Sequence, residues 1–163
     1  MGNWQRVELR DVEQHELKTG ANSRLGSYGM SDVCPVNEFE CFKGAFEVDD
    51  LERLFLLGMF AKHTRDHSGR LRDVLESMSE NDRVGSFFDA KVDVATRPEL
   101  AVVAVTDDLY RGSLTLIDGN HRSISQFLRQ RTIEGVPAFV CVHPQIRRWG
   151  FLPALARANS SRT

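Results

Sequence analysis

Apolar residues in the second half of the chain are spaced as in a strand–strand–helix–strand unit. Residues 100–106 are apolar and rich in β-branched side chains, which is typical of a central strand. Residues 114–118 return as a second strand, and apolar positions at helical spacing then run from Ile124 to about residue 131. Residues 136–142 form a third strand. This β-β-α-β order places the chain in the α/β or α+β class.

The first half of the chain carries weaker signals. Val33–Val36 predicts a short strand. Asp49 followed three residues later by Glu52 resembles a capping box. We therefore predict a helix over residues 49–60, buried because it is apolar on nearly every side. A second, amphipathic helix is predicted over residues 71–78.

Composition indicates one globular domain. The chain has 163 residues, of which 41% are hydrophobic and 27% charged, so it can bury a core. We divide it into an N-terminal extension with helical additions (residues 1–30), an α/β (α+β) domain with a small mixed sheet (31–143) and a basic tail (144–163). The first residues lack the apolar stretch of a signal peptide, and no apolar run approaches the ~20 residues of a membrane span. Three cysteines suggest no disulfide framework, so we expect a cytoplasmic, reduced protein without a membrane partner.

The net charge of −2 conceals a gradient along the chain. Residues 31–60 carry seven acidic and two basic side chains, a net charge of −5. Residues 121–163 carry seven arginines and one acid, a net charge of +6. A near-neutral total argues against a dedicated duplex-DNA binder. The basic end favours either a local anion site or attraction between the two ends of the chain.

The most informative stretch is Asp118-Gly119-Asn120-His121-Arg122-Ser123, which joins an apolar strand directly to a helix. Gly119 allows a sharp turn or the close approach of a ligand. Asn120 as N-cap would place the next residues in the first helical turn, where backbone N–H groups and the helix dipole favour anions. Arg122 offers a bidentate fork and His121 a further donor. The stretch predicts a phosphate cradle or, alternatively, an ordinary turn in which Arg122 is structural.

This stretch, with Val136-Pro137 opening the next strand, resembles the D-G-x-H-R signature of the ParB/sulfiredoxin-like superfamily. The resemblance covers about residues 100–143 and, loosely, residues 33–57. It implies a fold in which the start of the helix holds nucleotide phosphates. The cofactor-binding residues would then be Gly119, Asn120, His121, Arg122 and Ser123.

The branches of this superfamily differ at the position of Asn120. Sulfiredoxins carry their catalytic cysteine there, so sulfinic-acid reduction is not expected. ParB partition proteins continue into DNA-binding and dimerisation domains, for which about twenty residues after the last strand leave no room, so nucleic acid is not an expected partner. Free-serine kinases carry D-G-H-H-R, which differs from this chain only at Asn120. That branch implies a kinase acting on a small molecule, such as a free amino acid, with ATP or ADP and Mg²⁺.

In the kinase branch a glutamate near the end of the first strand acts as the base. Glu40 is our first choice for it, Glu38 the second, and Glu47 is also open. Asp118 would bind the metal or orient His121. His121 is the last of the candidate catalytic residues, after Glu40, Glu38 and Asp118. The alternatives are a non-catalytic nucleotide sensor or protein-interaction module and, less favoured, a DNA-associated protein.

A separate metal site is not predicted. His63 and His67 are four residues apart, but no third ligand is placed by the sequence, so a polar helix end is the preferred interpretation. Whether the chain forms a homodimer is left open.

Overall fold

The computed structural model of the chain describes residues 3–18, 25, 29–74 and 101–149. The strands and α-helices in those ranges are β1 (Gln5–Val7), α1 (Leu9–Lys18), β2 (Glu40–Ala45), β3 (Leu54–Phe55), β4 (Val102–Thr106), β5 (Leu114–Asp118), α2 (Asn120–Gln130) and β6 (Pro137–Val142). Short 3₁₀ helices occupy Met30–Asp32, Val36–Glu38, Val48–Arg53, Gly58–His63, Arg65–His67, Leu71–Asp73 and Ile146–Arg148. The six strands form one mixed sheet in the order β1-β2-β6-β4-β5-β3, which confirms the predicted α+β class.

Strand β4 lies inside the sheet, parallel to β6 on one side and antiparallel to β5 on the other. Beyond β6 the sheet continues with β2 and β1, both paired antiparallel, and β3 closes the opposite edge parallel to β5. These directions bring the carboxyl ends of β2 and β5 to the same end of the sheet. The predicted β-β-α-β unit is confirmed, and its bounds differ from the predicted ones by at most two residues.

The sheet separates two apolar clusters. Alternating side chains of β4 supply both of them, Val102 and Ala104 on one face and Val103 and Val105 on the other. Helix α2 contributes to the first cluster and α1 to the second. Because both faces are covered, every residue of β4 is buried, which explains its continuous apolar run.

The helix predicted over residues 49–60 is wrong. The chain forms a 3₁₀ helix at Val48–Arg53 and then the two-residue strand β3. A capping box does open the segment, but Glu47 and Asp50 form it, two residues earlier than predicted. Residues 54–57 are buried as expected. A continuous apolar run indicates burial on all sides, which a covered strand and a buried helix share, so the pattern did not distinguish them.

The strand predicted at Val33–Val36 is also wrong. Its residues lie at the junction of the 3₁₀ helices Met30–Asp32 and Val36–Glu38. Pro35 has no N–H to donate to a neighbouring strand. Regular pairing begins only at Glu40, the first residue of β2.

Arg53 ties β3 to the turn between β4 and β5. Its guanidinium donates to the carbonyl oxygens of Leu109 at 2.7 Å and Gly112 at 2.8 Å, and to the Asp50 carboxylate at 3.2 Å. Within the same turn the exposed Asp108 carboxylate accepts two backbone N–H groups, and these bonds lower the pKa of its carboxyl. The turn is therefore fixed from within and from the neighbouring segment.

The described parts of the two predicted end segments pack against the domain. Strand β1 pairs with β2, Val12 of α1 is fully buried, and Ile146 and Trp149 lie in the same cluster. The boundaries at residues 30 and 143 stay a prediction. Most of the helix predicted over 71–78 lies outside the described residues. No helix within the described ranges is long and apolar enough to cross a membrane.

Candidate functional site

The predicted strand-to-helix junction lies at the carboxyl end of β5. Asp118 ends the strand, and Gly119 follows in the left-handed backbone region with φ 87° and ψ 18°. The Ser123 N–H donates to the Gly119 carbonyl at 2.9 Å, which closes the first turn of α2. A glycine is needed because a side chain in this conformation is strained. Gly119 is thus the single residue between the end of β5 and the start of α2.

We predicted Asn120 as the N-cap of the helix, and this prediction is wrong. The N-cap is Gly119, and Asn120 is the first helical residue, with 5% of its surface exposed. Its Oδ1 accepts the Leu57 N–H at 2.9 Å, and its Nδ2 donates to the Leu116 carbonyl at 3.0 Å. Both polar ends of the side chain are hydrogen-bonded inside the protein, so Asn120 positions Leu57 and the end of β5 relative to the start of α2.

The start of α2 has the electrostatics of an anion site. Backbone N–H groups in the first turn of an α-helix have no partner within the helix, and the helix dipole adds partial positive charge there. Gly119 provides no side-chain cap for these groups. The backbones of His121 and Arg122 belong to this turn, whereas their side chains lie outside the described residues. Ser123 is buried at 5% exposure.

A segment that the sequence did not connect with this junction lies beside it. Residues 57–70 leave the sheet after β3 and return where Arg70 pairs antiparallel with Phe55. The hydrogen bond from Leu57 to Asn120 joins the beginning of the segment to α2. Its return is fixed by the Gly69 carbonyl, which accepts the Leu56 N–H at 2.7 Å. The segment is therefore joined to the start of α2 at Leu57, and we call residues 57–70 the wall.

The backbone of this wall is unusual at its tip. Asp66 and His67 have φ values of 53° and 54°, and Gly69 has φ 78°. The Thr64 hydroxyl accepts the Gly69 N–H at 2.8 Å and holds the tip closed. Asp66, His67 and Lys62 are exposed. Non-glycine residues with positive φ are often found at functional sites. The sequence drew attention to this part of the segment only through His63 and His67.

The candidate bases Glu38 and Glu40 lie at the opposite end of the sheet. Glu40 pairs with Val142, at the carboxyl end of β6, whereas Asp118 pairs with Val103, near the start of β4. Three strand spacings separate β2 from β5, about 14 Å, and the three residues from Val103 to Thr106, the partner of Val142 in β4, add about 10 Å. Glu40 is thus roughly 17 Å from Asp118 by these spacings. Our assignment of Glu40 or Glu38 as the base at this junction is therefore corrected.

Glu38 has a partner of its own. Its Oε2 lies 3.0 Å from Nε2 of His143, a residue with 5% exposure. Nδ1 of His143 accepts the Gln145 N–H at 3.0 Å, so in the neutral ring the proton is on Nε2 and points to Glu38. This pair attaches the segment before β2 to the end of β6.

Glu47 lies just beyond the carboxyl end of β2, at the same end of the sheet as Asp118. Its side chain accepts the Asp50 N–H in the capping box, which gives the carboxylate a structural role. Of the acids considered, Asp118 alone adjoins the junction directly. It is half-buried and pairs with Val103 of β4, next to an irregularity in the register of the two strands.

Among the described residues, no group of three or more His, Cys, Asp or Glu side chains is arranged to hold a metal ion. His67 is exposed, and the side chain of His63 lies outside the described residues. No family model, curated protein or solved structure matches this chain.

Proposed function

We propose that the chain binds a nucleotide through its phosphates at Gly119–Ser123 and transfers a phosphoryl group to a small molecule, such as a free amino acid. The start of α2 carries this proposal: a left-handed glycine without a capping side chain precedes the helix at the end of a strand. Phosphates commonly bind at such a start because N–H groups and the helix dipole both favour negative charge. The resemblance of Asp118–Arg122 to the ParB/sulfiredoxin-like signature supports the same ligand.

The residues at the junction fit ATP or ADP with Mg²⁺. Mg²⁺ retains several waters and is held by one or two carboxylates together with phosphate oxygens, so Asp118 would suffice on the protein side. When bound, the ion would neutralise charge on the phosphoryl group being transferred. Arg122 and His121 would donate to phosphate oxygens from the first helical turn. The wall of residues 57–70 would bound the space for the acceptor.

A binding experiment with a matched pair of arginine variants tests the ligand. Arg122→Ala removes a charge-assisted contact of about 2–4 kcal/mol, so nucleotide affinity should fall about 30- to 1000-fold by calorimetry. Arg129→Ala is the control, because Arg129 is exposed in the last turn of the same helix. Equal affinity for Arg122→Ala and Arg129→Ala would refute the cradle.

A turnover experiment tests the reaction. The protein is incubated with ATP or ADP, Mg²⁺ and a panel of free amino acids, and phosphorus NMR is used to detect a phosphorylated acceptor. We expect a product with at least one acceptor, and we expect Asp118→Asn to abolish it.

A second candidate is a non-catalytic nucleotide sensor. The distance of Glu38 and Glu40 from the junction favours the sensor, because neither glutamate lies where the kinase resemblance requires a base. Nucleotide binding without a product from any acceptor would support the sensor. Glu40→Gln should change neither binding nor turnover; a hundredfold loss of turnover would restore Glu40 as the base.

A further inference from the structure

Two of the three cysteines face each other across neighbouring strands. Cys41 of β2 and Cys141 of β6 are direct partners in the register, and their Sγ atoms lie 3.4 Å apart. Cys41 has 2% of its surface exposed and Cys141 none. Cys34 is buried in the same cluster but precedes β2 and has no place in this register.

The pairing type at these positions suits a covalent bond. Just beyond the register pair Ala45–Pro137, the Phe46 N–H donates to the Val136 carbonyl at 3.0 Å. Phe46 and Val136 are therefore a hydrogen-bonded pair, five positions along the ladder from the two cysteines. Types alternate along an antiparallel ladder, which makes Cys41 and Cys141 a non-hydrogen-bonded pair with an expected Cα separation of about 4.5 Å. That separation falls within the roughly 4.4–6.8 Å found in disulfides.

The two thiols differ in acidity. The hydrogen bond with Cys141 lowers the pKa of Cys41, although burial acts in the opposite direction. The same bond and burial raise the pKa of Cys141 well above its ordinary value. Since the thiolate is the reactive form, the direction of these shifts favours Cys41 as the attacking sulfur of the pair.

We propose that Cys41 and Cys141 form an oxidation site that a hydroperoxide converts into an intramolecular disulfide. The Cys41 thiolate attacks a peroxide oxygen, which gives a sulfenic acid and releases hydroxide. The Cys141 sulfur then displaces the sulfenic oxygen, and its proton leaves with that oxygen as water. In sum, two thiols lose two electrons and two protons, and one hydrogen peroxide becomes two waters. Local opening of α1, which covers this face, admits the oxidant. This site is independent of the nucleotide proposal.

Mass spectrometry of the full chain tests the site. The reduced protein is treated with hydrogen peroxide, denatured and alkylated, and its peptides are mapped. We expect three alkylated cysteines before treatment, and afterwards one, at Cys34, together with a cross-linked peptide pair containing Cys41 and Cys141. This result needs no variant to fold.

Two variants sharpen the test. Cys34→Ser should form the same cross-link, whereas Cys141→Ser should leave a sulfenic acid at Cys41 that dimedone traps. A cross-link through Cys34, or full alkylation of Cys41 and Cys141 at peroxide concentrations that oxidise a reference dithiol, would overturn the proposal.

Discussion

Replacement of Asn120 by alanine should detach residues 57–70 from the start of α2. The change removes the acceptor of the Leu57 N–H and the donor to the Leu116 carbonyl, at a residue with 5% exposure. A buried donor left without a partner costs about 1–3 kcal/mol, and the carbonyl adds less because it has a second lone pair. We therefore expect a loss of about 2–3 kcal/mol, or a fall in Tm of about 4–12 °C for a chain of this size.

Thermal and urea unfolding of the variant measure this loss. Asn37→Ala is the matched control, because Asn37 is an exposed asparagine in a 3₁₀ helix, and its Tm should change by less than about 2 °C. If Asn120→Ala unfolds like Asn37→Ala, the hydrogen bonds do not stabilise the junction and the positioning role is wrong.

The stability of Asn120→Asp should depend on pH, which tests the same hydrogen bonds. A carboxylate could still accept the Leu57 N–H, but it would face the Leu116 carbonyl with an acceptor in place of a donor. Only the protonated acid restores the donor, so the pKa of the new carboxyl should rise in the folded state. Its stability should therefore approach wild type below the ordinary aspartate pKa and be lost as pH rises through the raised value. A pH-independent difference from wild type would contradict this reasoning.

Three further predictions follow from backbone and turn contacts. Gly119→Ala strains a residue with φ 87°, so it should lower the free energy of unfolding and weaken nucleotide binding in calorimetry. The control is Gly135→Ala, at φ 81° with nothing within 4 Å of the new Cβ, which should lower the free energy of unfolding by a similar amount without affecting binding. Arg53→Met removes the donors to the 109–112 turn and should lower the free energy of unfolding by about 2–4 kcal/mol in urea titrations. The pKa of Asp108 is lowered in the folded protein, so its carboxylate stabilises the fold above the ordinary aspartate pKa, and this stabilisation is lost as pH falls through the lowered value. In Asp108→Asn, the free energy of unfolding should therefore fall less on acidification than in the wild type.

The elements of the second half were predictable because their patterns are long and unambiguous. Residues 102–106 are buried on both faces, and α2 places its apolar side chains at helical spacing on one of them. The short strand β3 was not predictable. Its position depends on parallel pairing with β5, a contact sixty residues away along the chain that no local pattern records.

Only the local part of the candidate site could be predicted from the sequence. The strand–glycine–helix junction is local, so its motif revealed it. The inward role of Asn120 depends on Leu57, whose nearness comes from the sheet topology alone. The misplacement of Glu40 has the same origin, because the antiparallel register of β2, unknown from sequence, puts that residue at the far end of the sheet.

Backbone amide NMR during a nucleotide titration tests the central claim most directly. ADP with Mg²⁺ is added to the isotopically labelled protein, and shifts are followed for every assigned amide. We predict that the largest shifts occur at residues 119–123 and in the wall of residues 57–70. Shifts confined to the end of the sheet that carries Glu40 and His143, or none at millimolar nucleotide, would contradict the assignment of the site to the start of α2.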